Sequence, residues 1–357
     1  MGHDKDEVPR TENEPPMITS IQRFVRATDC LIARAYLATF RERGGLLAFL
    51  FHSLFRDERE IALNQVDPLQ CTTVDRFRRF IEYYIGHGYR FISPTDPLRG
   101  LSPDGKYALI TFDDGYFNNI HALPVLEEYG VPAVFFISTD HVRQNKCFWW
   151  DVLYRERVAQ GASPSRVYRE GVALKSKRTE QIEAELTARF GPRAFEPRGD
   201  VDRPFSPSEL RAFARSPYVH LGNHTANHAI LTNYPPEQVR AQILGAQEAL
   251  REMTGVRPGA IAYPNGAYSG QILEACGDIS LKVGFTVRPE KNPLPLDARS
   301  PGLLQLGRFA LEGDGPIEAQ CRTYRSDLLL YGLFRDGYLK FIRGTPAGPG
   351  RRHLPTG

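Results

Sequence analysis

The stretch KYALITFDDG, residues 106–115, decides how the rest of the chain is read. YALITF is an almost unbroken apolar run with the length of a strand buried on both faces. Two adjacent aspartates follow it at once, and then a glycine. Two carboxylates directly after a buried strand repel each other and lose hydration, so they need compensation, typically by a cation. On its own, Asp-Gly is also an ordinary turn signal.

Working outward, similar short apolar runs recur on both sides. LLAFLFH (46–52) and YRFIS (89–93) precede the central stretch. PAVFFIS (132–138), YVHLGNH (218–224), AIAYPNG (260–266), VGFTV (283–287) and LGRFAL (306–311) follow it. Helical patterns lie between them over residues 77–87, 122–129 and 237–253, each stopped by a glycine at 88, 130 or 255. Strands alternating with helices mean βα units and a parallel sheet. Seven or eight units in this length predict an α/β fold, a distorted (β/α)7-8 barrel with a helical insertion. In such barrels the chemistry gathers at the C-terminal strand ends. His52, Asp113, Asp114, His224 and Asn265 all fall there, which predicts one shared site.

The barrel is expected over residues 44–342, interrupted by a charged, Pro- and Gly-punctuated insertion over about 140–207. Residues 1–16 read as a disordered leader and 343–357 as a Gly/Pro/Arg-rich flexible tail. Residues 17–43 form a basic amphipathic pattern. That pattern suits a helix packed on the domain, the preferred reading, or one in peripheral contact with an anionic membrane. The 357 residues carry 45 basic and 42 acidic side chains, a net charge of +3 that gives no reason to expect a nucleic-acid partner. The five cysteines show no close pairing, against a disulfide framework or a cysteine zinc site. No secretory signal and no apolar run of spanning length is seen. A cytoplasmic location follows as the expectation, with the inner membrane face as its variant.

HTANH, residues 224–228, places two histidines four apart. If that segment is helical or tightly turned, both can meet one metal. Two imidazoles with one carboxylate leave open coordination positions, the arrangement used in metal-assisted hydrolysis, and a second carboxylate is free to act as base. With TFDDG (111–115) upstream and IAYPNGAY (261–268) downstream, residues 46–310 resemble the NodB-homology polysaccharide deacetylases, carbohydrate esterase family 4. The resemblance implies that Asp114, His224 and His228 bind a divalent metal, commonly zinc, with nickel or cobalt as alternatives. It implies that Asp113 is the general base that activates water. The backbone N–H of Asn265 would help hold the oxyanion. Tyr263 and Pro264 would line the substrate side.

Two parts of the common family pattern are missing from their usual places. The motif that normally supplies an arginine reads Ala262-Tyr263-Pro264-Asn265 here, and no histidine occurs between His228 and His353. His52, at the end of the first strand, resembles the strand-one histidine of the exopolysaccharide-type subgroup and is assigned as general acid. Arg308 is the candidate to replace the arginine beside Asp113; a surface or ion-paired arginine is the alternative. Trp149 and Trp150 either line a glycan groove or anchor the insertion. The expected activity is removal of N-acetyl groups from an N-acetylated sugar in a polysaccharide or glycan precursor. Hydrolysis of another C–N bond or an O-acetyl ester, and a glycan-binding pseudoenzyme, are the alternatives.

Overall fold

The computed structural model describes residues 20–68, 71–296, 302–311, 313 and 315–328. The expected leader and tail lie outside these residues. Seven parallel strands follow the apolar runs: β1 (Gly45–Phe51), β2 (Lys106–Phe112), β3 (Ala133–Ile137), β4 (Val219–Asn223), β5 (Ala260–Ala262), β6 (Val283–Phe285) and β7 (Phe309–Ala310). They pair in the order β7-β1-β2-β3-β4-β5-β6, and a short strand at Arg90–Phe91 pairs with β2. The sheet curls back on itself. Leu306, just before β7, bonds both ways with the β6 edge, accepting from Thr286 N–H at 2.8 Å and donating to Gly284 at 2.9 Å. Phe309 then pairs with Phe49 of β1. The chain therefore has the curled, helix-surrounded parallel sheet of the NodB-type deacetylase barrel.

Side chains alternate between two faces along each strand, and this separates two cores. Leu46, Ala48, Leu109, Val134, Phe136, Ala262 and Phe285 fill the barrel interior. Leu47, Phe49, Phe51, Ala108, Ile110 and Phe112 face outward against the helices, among them Phe77, Phe80 and Tyr84 of α2 (Val74–Gly86). The same alternation sends Thr111 and Asp113 inward at the top of β2. Gly222 of β4 is also an interior position, where a Cβ would meet the Phe136 ring at 2.2 Å.

The N-terminal helix, α1 (Ser20–Thr39), stops four residues before the expected end at residue 43. It docks on α6 (Ile317–Arg325). Tyr36 donates a 2.7 Å hydrogen bond to Asp327, and Asp29 and Ala33 are buried, while Leu31 and Phe40 remain exposed. Just past α1, Glu42 accepts hydrogen bonds from Arg325 at 2.8 and 3.0 Å and from Lys106 at 2.7 Å. The insertion between β3 and β4 carries α3 (Trp149–Ala159), α4 (Pro164–Leu174) and α5 (Thr179–Phe190) around a small core of its own. No helix among the described residues is long and apolar enough to cross a membrane.

Candidate active site

Strand ends β1, β2, β4, β5 and the run into β7 converge at one mouth of the barrel. Asp113 continues the inward face of β2 and meets Arg308, which enters from the closing segment. The guanidinium forms a two-pronged contact with the carboxylate, at 2.7 and 2.8 Å. Arg308 is itself fixed by the Thr111 hydroxyl at 2.8 Å and the Thr286 carbonyl at 2.9 Å. Both partners are buried. Burial pushes the Asp113 pKa up, but Arg308 and His224 beside it outweigh this and hold it below the ordinary carboxylate value. The carboxylate is thus kept ionised, as a general base must be.

Asp114 turns the other way. Its φ is 78°, a left-handed backbone that a non-glycine residue adopts only under constraint. Its side chain is wholly buried, yet among the described residues neither carboxylate oxygen accepts a hydrogen bond. Facing Oδ1 are Nε2 of His224 and Nε2 of His228, each at 3.4 Å. One ligand atom from each of the three residues lies within 4.8 Å of the others. HTANH is a tight turn here, with positive φ at Thr225 and His228 (63° and 53°). His224 donates from Nδ1 to the Ala262 carbonyl at 2.8 Å, which turns Nε2 toward Asp114. A buried carboxylate with no donor, confronted by imidazole nitrogens, is the donor set of a divalent cation site. The residues present therefore fit the metal that the motifs imply.

The electrostatics of the two imidazoles differ. Burial opposes charge on His224, but Asp113 and Asp114 outweigh it and raise the pKa. Burial, seconded by His224, holds His228 well below its usual value, so that ring stays neutral and able to ligate. His52 stands on the open side, one-third exposed, with Nε2 3.9 Å from Asp114 Oδ2. Its carbonyl accepts a 2.6 Å hydrogen bond from Asn119. Asn265 adopts φ 57° in the turn after β5, and its side-chain oxygen accepts from Lys175 of the insertion at 3.0 Å.

Of the candidate substrate contacts, Tyr263 and Trp149 lie inside the structure. Tyr263 is fully buried and donates its hydroxyl to the Leu304 carbonyl at 3.0 Å, so its ring braces the barrel wall. Trp149 packs with Leu153, Val167 and Leu186 inside the insertion and anchors it. Trp150 alone of the pair borders the site, its ring 4.5 Å from that of His228. Pro264 is buried beside Asn265. The sequence reading missed Tyr116 and Asp151, which support Trp150. Tyr116 stands two residues past the aspartate pair, and that adjacency was the one available signal.

With this geometry in hand, comparison with known proteins is informative. The polysaccharide deacetylase family model matches residues 100–284, more than half of the chain. The chain belongs to the polysaccharide deacetylase family. Among curated proteins this family member is 22% identical over 218 residues to YxkH of Bacillus subtilis, which is named as a polysaccharide deacetylase. That match covers 60% of the chain but only 57% of YxkH. Among solved structures it resembles the deacetylase PplD of Streptococcus pyogenes, solved with acetate, with a TM-score of 0.53 and 18% identity. That likeness covers 79% of this chain and 99% of PplD. It also resembles IcaB of Ammonifex degensii, with a TM-score of 0.52, 17% identity and coverage of 80% and 98%. At such identities these structural likenesses speak for the fold.

Proposed function

We propose that this family member is a metal-dependent hydrolase that removes N-acetyl groups from an N-acetylated sugar in a polysaccharide or glycan precursor. The observation that carries the reading is the buried Asp114 carboxylate, without a hydrogen-bond donor, facing Nε2 of His224 and His228 at 3.4 Å beside an Asp113 clamped by Arg308.

In this reading Asp114, His224 and His228 hold one divalent cation, zinc in the first instance, with nickel or cobalt also suited to the donor set. When bound, the cation polarises the acetyl carbonyl and lowers the pKa of water. Asp113 takes the proton from the attacking water, and Arg308 keeps that carboxylate ionised and aimed. The backbone N–H of Asn265 faces the developing oxyanion. His52 gives a proton to the departing amine, without which an amide nitrogen is a poor leaving group. Trp150 flanks the entering sugar, since an aromatic face suits the apolar face of a pyranose. All five cysteines are free, with Cys147, Cys276 and Cys321 buried, which supports placing the enzyme in a reducing compartment.

The test is acetate release from a panel of N-acetylated oligosaccharides and sugar precursors, with O-acetyl esters alongside, before and after chelation and metal restoration. Metal-dependent release of acetate and free amine from an N-acetyl sugar is the expected result. Release from esters alone moves the assignment to an esterase. No release from any substrate in metal-replete protein overturns it.

A further inference from the structure

The two candidate metal-binding imidazoles are held by different means. His224 is oriented by its Nδ1 hydrogen bond to Ala262. His228 has no such anchor: its Nδ1 is buried and has no hydrogen-bond partner among the described residues. A histidine that ligates a metal ordinarily fixes its ring through the second nitrogen. For His228 that orientation has to come from packing, and the nearest ring is Trp150, at 4.5 Å and an interplanar angle of 61°.

Trp150 is in turn pinned from behind. Its indole N–H donates to the Tyr116 hydroxyl at 2.9 Å, and Tyr116 donates to Asp151 Oδ2 at 2.6 Å. The other Asp151 oxygen accepts the Asp67 backbone N–H at 2.8 Å. An indole can only donate, so the Tyr116 hydroxyl accepts from Trp150 and turns its own proton toward Asp151. Asp151 and Tyr116 are buried, and Asp151 makes no ion pair among the described residues. Burial pushes the Asp151 carboxyl well above the ordinary carboxylate range, and a polar group this deep is tolerated where its hydrogen bonds are made. What it supports is one face of the site.

The geometry points to Asp151 and Tyr116 as positioning residues that fix the His228 ring through Trp150, a packing and hydrogen-bonded strut in place of the missing hydrogen bond on Nδ1. The inference rests on the metal-site reading above and deepens it, because it assigns the insertion a part in holding the cation. Neither residue touches substrate or the reacting atoms. Their effect is on how well His228 is preorganised, and so on affinity before any turnover.

The experiment measures Zn2+ affinity of the full chain by competition with a chromophoric chelator, for wild type, Tyr116→Phe, Asp151→Asn and Tyr154→Phe. Loss of an outer-shell support typically costs about 10–100-fold in metal affinity. Tyr116→Phe and Asp151→Asn are expected to lose about 10-fold or more. Tyr154→Phe is the structural control. It removes a tyrosine hydrogen bond made by the helix that carries Trp150 and Asp151, to Asn64 at 3.0 Å, with no link to Trp150 through Tyr116, and should bind as wild type does. A merely structural role lowers the melting temperature of Tyr116→Phe and Tyr154→Phe alike and leaves affinity unchanged; that result overturns the proposal. If Tyr116→Phe does not fold, Asp151→Asn decides on the same criterion. A wild type with no Zn2+ affinity overturns the metal reading itself. A wild type that binds, with both strut variants equally tight, overturns only the strut.

Discussion

Asp113 and Asp114 are neighbours in the chain that face opposite partners. Asp113 keeps the inward direction of β2 and meets Arg308, while the left-handed turn at Asp114 swings the second carboxylate onto the two imidazoles. Their roles should therefore separate on mutation. Asp113→Asn keeps shape but cannot take a proton: metal content measured by elemental analysis should match wild type while kcat falls at least ~10²-fold. His228→Ala should do the reverse first, lowering metal content in a folded protein. Equal metal content in that variant removes His228 from the donor set. His52 lies on the open side, 3.9 Å from Asp114, where a departing amine can be reached. His52→Ala should retain metal and lose about 10²–10⁴ in kcat on an N-acetyl substrate. The loss should be much smaller on an activated ester, whose leaving group departs unprotonated. Equal losses on the two substrates count against the acid role.

At the scale of elements, the joint between α1 and the barrel is electrostatic. Burial raises the Glu42 pKa, but hydrogen bonds from Arg325, Lys106 and Tyr89 overcome it and lower it from 4.5 to about 2. A depressed carboxylate stabilises the fold above its unfolded value of 4.5, and that contribution is lost as pH falls from 4.5 toward 2. Urea midpoints of wild type and Glu42→Gln should converge across that window; a gap that stays constant shows the carboxylate is not responsible. Elements of this kind were the least legible in the sequence. The apolar runs announced the strands because a strand buried on both faces has little choice of residue, and β2 begins where expected. TFDDG and HTANH stood out because carboxylates and histidines gathered at strand ends are the donors a cation site would need. Arg308 was readable only as a candidate, since its partner stands far away in the chain. Tyr263 and Trp149 were legible only as candidates because an aromatic near a motif looks the same whether it faces solvent or core. The Asp151–Tyr116–Trp150 strut left no periodic trace at all.

At the scale of the whole molecule, closure depends on a few polar contacts at the seam. Asn292 exchanges backbone hydrogen bonds with Leu46 of β1 at 2.9 and 3.0 Å. Its side chain reaches the Leu46 and Gly307 carbonyls at 3.1 and 3.0 Å and accepts from Gly307 N–H at 2.8 Å. Asn292→Ala leaves buried backbone groups unpaired and should cost about 1–3 kcal/mol, read from urea unfolding. A change within error means that solvent reaches the seam and satisfies those groups instead. The seam has a further consequence, in time. Arg308 belongs to the segment that closes the barrel and lies 195 residues after Asp113. A ribosome adding roughly 5–20 residues per second exposes the aspartate about 10–40 s before its arginine exists. Throughout that interval the nascent chain has a carboxylate destined for burial without the arginine that clamps it. The proposed base is thus clamped only once the segment leading into β7 exists, and a chain released early carries Asp114, His224 and His228, the proposed cation donors, without Arg308.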